Sequence, residues 1–87
     1  MKVIATSPTF KGKCEQAHRI VLTYWPENNK PFTTHWQNVD EEKSFYWGNY
    51  FSSLDQAWDN FSERVRVYIA QYGHNVQLPT QEAAVEH

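Results

Sequence analysis

The sequence predicts an α+β fold: an antiparallel sheet of three strands, extendable to four or five by segments near the chain ends, with one C-terminal helix packed on one face. Three observations predict it. Apolar residues recur at three- and four-residue spacing between Leu54 and Tyr72, the signature of an amphipathic helix. Residues 18–25, 32–38 and 44–51 are rich in β-branched and aromatic side chains. Between these runs lie a Pro-Asn-Asn-Pro type loop (residues 26–31) and an acidic turn (residues 39–43).

The helix carries the strongest pattern. Leu54, Ala57, Trp58, Phe61, Val65, Tyr68, Ile69 and Tyr72 form one stripe, and Asp55, Asp59, Asn60, Glu63, Arg64, Arg66 and Gln71 fall on the opposite, solvent-facing side. Ser52 or Ser53 can cap the start, because a serine oxygen can accept a free N–H of the first turn, and Ser53, three residues before Gln56, fits a capping box. Gly73 is placed to stop the helix. An aromatic stripe of this kind packs on a sheet far more often than it lines a ligand groove.

Taken in chain order, Lys2 to Thr6 suits a strand that Ser7-Pro8 ends. Thr9 to Ala17 is ambiguous: Gly12 between Lys11 and Lys13 suggests a turn, and Cys14 to His18 reads either as one helical turn or as the start of the next strand. In the run from His18 to Trp25, Ile20, Leu22 and Tyr24 share one face, and Val21, Thr23 and Trp25 the other. In the next strand Phe32, Thr34 and Trp36 alternate with Thr33, His35 and Gln37, so the aromatic set is expected inward. Ser44 to Phe51 has rings on both faces: strict alternation puts Phe45, Trp47 and Phe51 together against Tyr46, Gly48 and Tyr50, with Gly48 a candidate bulge. His74 to Leu78 can add a short strand. Residues 1–79 thus read as one domain and residues 80–87 as a flexible tail, with 85–87 resembling a tag remnant.

Composition narrows the function classes. A net charge of −2 and scattered Lys and Arg disfavour non-specific binding to nucleic acid or anionic membrane. A single cysteine excludes an intramolecular disulfide and a cysteine-rich zinc site, and with no long apolar run the chain reads as cytoplasmic. Cys14 and His18, four apart, would share a helical face, but they lack the partners that a thiolate catalyst or a metal site needs. Asp40-Glu41-Glu42 lacks the alternating ligands and glycine of a metal loop and reads as a solvated turn. No metal, cofactor or catalytic group is expected.

Four Trp, five Tyr and five Phe exceed the inward positions of so small a domain. The expectation is therefore a non-enzymatic accessory module of the mobile-element or phage type. It would bind another protein, or a second copy of itself, through the sheet face that the helix leaves uncovered. Trp25, His35, Tyr46 and Trp47 are the candidate contact residues. The alternative is a single-stranded or duplex nucleic-acid module on the same sheet, stacking bases on Trp36, Tyr46, Trp47 and Tyr50 beside Arg19, Lys30 and Lys43.

Overall fold

The structure, a computed structural model, describes residues 1–10, 17–41, 43–72 and 76–77. Its strands are β1 (Lys2–Thr6), β2 (Thr9–Phe10), β3 (His18–Tyr24), β4 (Phe32–Asn38), β5 (Tyr46–Phe51) and β6 (Val76–Gln77), and its helix is α1 (Leu54–Tyr72), which follows β5 directly. All pairings are antiparallel, in the order β5-β4-β3-β2-β6, with β1 also against β3. The α+β architecture is the expected one, with more strands than the central meander. Cys14, Gly73 and the predicted tail lie outside the described residues. No described helix is long and apolar enough to cross a membrane.

The centre of the sheet follows the alternation in the sequence. Register pairs Ile20 with Trp36, Leu22 with Thr34 and Tyr24 with Phe32 on one face; Arg19 with Gln37, Val21 with His35 and Thr23 with Thr33 lie on the other. The helix covers the first face. Phe10, Ile20, Leu22, Ala57 and Phe61 form the buried core, with Ala5, Phe32, Phe51, Val65 and Tyr68 packed against it. Each fully buried large side chain in this set contributes about 1.5–3 kcal/mol by leaving water. Ser53 caps α1 as expected, its Oγ accepting the Gln56 N–H at 3.2 Å.

The run formed by β1 and β2 beside β3 is broken but continuous in its hydrogen bonding. Its register against β3 slips at Ile4 and again across Pro8. Ser7 bridges the second slip: its N–H donates to the Ile20 carbonyl at 2.9 Å, and its Oγ accepts the Ile20 N–H at 2.8 Å. A side-chain oxygen thus stands in where the main chain, turning into Pro8, has moved away.

Two expectations need correction. The helix stripe is narrower than predicted: Leu54, Trp58 and Ile69 are more than two-fifths exposed, while Arg64, expected in solvent, is half-buried against the sheet. Strict alternation also fails in β5. Thr34 pairs with Asn49 and Trp36 with Tyr46, so Trp47 and Gly48 together oppose His35. This bulge adds a residue and moves Tyr46 to the helix-side face with Trp36, away from Tyr50, which pairs with Thr33 on the other.

Candidate functional site

Beta-bulges that open on a left-handed residue normally place glycine there. Here Trp47 takes that conformation, with φ of 52°, and Gly48 follows it. The arrangement costs about 1–2 kcal/mol for a residue with a Cβ. Hydrogen bonds from the helix and a ring contact hold it. The Arg64 guanidinium donates from Nη2 to the Trp47 carbonyl at 3.0 Å, and from Nη1 to the Thr34 carbonyl at 3.2 Å and the Thr34 hydroxyl at 3.0 Å. Thr34 donates in turn to Asn60 Oδ1 at 2.6 Å. The Trp47 ring meets Trp36 edge-on at 5.5 Å. Burial pushes the Arg64 guanidinium down from its ordinary pKa, with Tyr68 opposing.

Gly48 is favoured by a close approach, not by its backbone angle. A Cβ there would lie 3.2 Å from both His35 Nδ1 and the Tyr50 hydroxyl. The bulge thereby sets a large ring outward: Trp47 is 73% exposed, and on the same strand Tyr46, on the helix-side face, is 47% exposed and Tyr50, on the other face, 58%. β5 ends the sheet on this side, and its six residues contain no charge and no proline, the usual protections of a free edge.

The face away from the helix is not bare. His35 is only 6% exposed, and Thr23 and Thr33 are fully buried. Phe45 stacks on His35 at 4.6 Å and meets Trp25 edge-on at 6.3 Å. Trp25 Nε1 donates to the Thr23 hydroxyl at 2.8 Å, and that oxygen lies 3.0 Å from His35 Nε2. Burial, and secondarily the Arg64 charge, lower the His35 pKa from 6.5 to about 4.

The four candidate contact residues therefore separate into two groups. Trp25 and His35 are joined through Thr23 beneath Phe45, with His35 below the surface. Tyr46 and Trp47 lie exposed on the β5 edge. Trp36, the centre of the proposed base-stacking platform, is 8% exposed beneath Trp47, His18 and Tyr68. Tyr50 belongs with the exposed group, and only the bulge position could have revealed how it is separated from Tyr46. Among the described residues no cluster of His, Cys, Asp and Glu has the geometry to hold a metal ion.

No family model matches the chain, and no curated protein or solved structure shows significant similarity to it.

Proposed function

We propose that this protein is a non-enzymatic binding module that engages a protein partner through the β5 edge, with Trp47 as the central anchor and Tyr46 and Tyr50 beside it. A second copy of the chain is the simplest partner, since an antiparallel edge can pair with itself about a two-fold axis. The observation that supports this reading most is the Trp47 conformation. A strained backbone position, secured by Arg64 and backed by Trp36, holds a large ring three-quarters exposed. Strain of this kind tends to persist where it serves a binding site, and Trp and Tyr are the residues that most often anchor interfaces. Burial of Trp36 removes the middle of a stacking platform and favours a protein over a nucleic acid.

The test compares wild type with Trp47→Ser, Tyr50→Ser and the double variant, each first shown to retain its far-ultraviolet circular dichroism. Light scattering over a concentration series reads self-association; quantitative crosslinking against the cell extract reads other partners. The reading predicts loss of one of these in the variants. If both are unchanged, the β5 edge is not the contact surface.

A further inference from the structure

We infer that the pocket on the face away from the helix, between Arg19 and Phe45, binds a carboxylate carried on a short apolar group. The pocket has a volume of about 140 Å³ and is lined by Met1, Val3, Thr6, Arg19, Val21, Gln37 and Phe45. It is distinct from the β5 edge, and the inference does not depend on the function proposed above.

Arg19 and Gln37 are cross-strand partners on β3 and β4. Arg19 Nε donates to Gln37 Oε1 at 2.7 Å, and Gln37 is 4% exposed, so the amide is a fixed point that orients the guanidinium. That bond uses one N–H of five. No carboxylate pairs with Arg19 among the described residues, and its terminal N–H groups have no protein partner there. A half-buried guanidinium in this condition presents a parallel pair of donors, which a planar carboxylate matches in bidentate fashion. None of the described lining residues is acidic, so none of them competes for the arginine.

The remaining walls define what the carboxylate is attached to. Val3, Val21 and the Phe45 ring are apolar, with the Thr6 hydroxyl as a further polar group. A phosphate or sulfate would need several donors and would lose more hydration against these walls than one arginine returns. The volume corresponds to roughly five waters at about 30 Å³ each, which suits a branched short-chain or benzenoid acid. The same chemistry can be supplied by a free small acid or by a carboxylate on a peptide.

The experiment is a nitrogen–proton correlation titration of the full chain, following the Arg19 Nε–H signal and the backbone amides of Val21 and Gln37. The probes are benzoate, isovalerate, and a short blocked peptide carrying one glutamate beside a phenylalanine; benzamide is the uncharged control. Saturable shifts with at least one acid are expected, with benzamide leaving these signals in place. Arg19→Gln should weaken binding roughly tenfold or more, the usual effect of losing a charge-assisted hydrogen bond. Binding of a free acid alone identifies a small-molecule ligand; binding of the peptide alone identifies a protein carboxylate. Absence of shifts up to about 20 mM of every acid, or equal shifts with benzamide, overturns the inference. If Arg19→Gln does not fold, Arg19→Lys and the benzamide comparison still decide, because a pocket that ignores the arginine would treat acid and amide alike.

Discussion

Arg64, on the helix, reaches the carbonyl of Trp47, on the edge strand, at 3.0 Å, and so ties the one left-handed non-glycine residue among those described to the element packed behind it. The same guanidinium also holds the Thr34 carbonyl and hydroxyl on the neighbouring strand. Helix, β4 and the β5 bulge are thus joined at one side chain.

Arg64→Met should therefore destabilise the fold by about 1–3 kcal/mol, since the variant keeps the apolar stem but abandons polar groups that are partly out of water. Arg64→Lys should recover only a fraction, because a point charge cannot reach both strands with the geometry of a planar fork. Urea denaturation at neutral pH measures both. A shift below about 0.5 kcal/mol for the methionine variant would mean that the bulge holds without the clamp.

The backbone angle at Trp47 leads to a second expectation. Trp47→Gly should be more stable than Trp47→Ala by about 1 kcal/mol, reversing the order seen at ordinary strand positions. Both variants lose the contact with Trp36, so their difference isolates the left-handed conformation. Paired thermal melts would show it, and an alanine variant equal to or above the glycine variant would contradict the assigned φ.

Gly48→Ala should cost about 1–3 kcal/mol by overpacking, since the new methyl would press on His35 Nδ1 and the Tyr50 hydroxyl at 3.2 Å each. His35 is held between Phe45 and Thr23 and has little room to yield. Combining Gly48→Ala with Tyr50→Phe should return part of the loss, and additive costs in the double variant would show that the tyrosine hydroxyl does not resist the methyl.

His35 makes stability depend on acidity. Its folded pKa of about 4 lies below the ordinary 6.5, through burial first and the Arg64 charge second. As pH falls, the unfolded chain takes up the proton before the folded one does. Stability should therefore decline from about pH 6.5 to about pH 4, by about 3 kcal/mol in all, with no further loss from this group below that window. His35→Gln should be less stable at neutral pH but flatter across it. Urea midpoints taken across the window decide, and an unchanged slope in the variant would assign the acid sensitivity to other groups.

How far the sequence foretold this structure depends on the element. Ile20, Leu22, Phe32 and Trp36 could be assigned to the helix side because β3 and β4 pair without interruption from His18 to Tyr24 and from Phe32 to Asn38, so period-two alternation holds throughout. β5 could not be read in that way. One extra residue reverses every assignment beyond it, and the sequence marks the bulge only by Gly48, whereas the left-handed position belongs to Trp47. Arg64 sits at the margin of the apolar stripe, where a charged residue reads as solvent-facing; its long stem instead carries the guanidinium back over the sheet. The Arg19–Gln37 pair was not read from the sequence, because it depends on the β3–β4 register that sets the two side chains opposite each other.

The Ser7 hydroxyl gives the run of β1 and β2 beside β3 a different character. Main-chain ladder bonds are indifferent to sequence, since almost every residue brings the same donor and acceptor. At Ile20 that indifference ends: the acceptor for its N–H is a single oxygen encoded by one codon. Continuity between β1 and β2 along β3 is therefore an inherited choice and not a property of the polypeptide. Replacement by alanine would leave a gap in the weave at Ile20, while the strands on either side kept their own stitches.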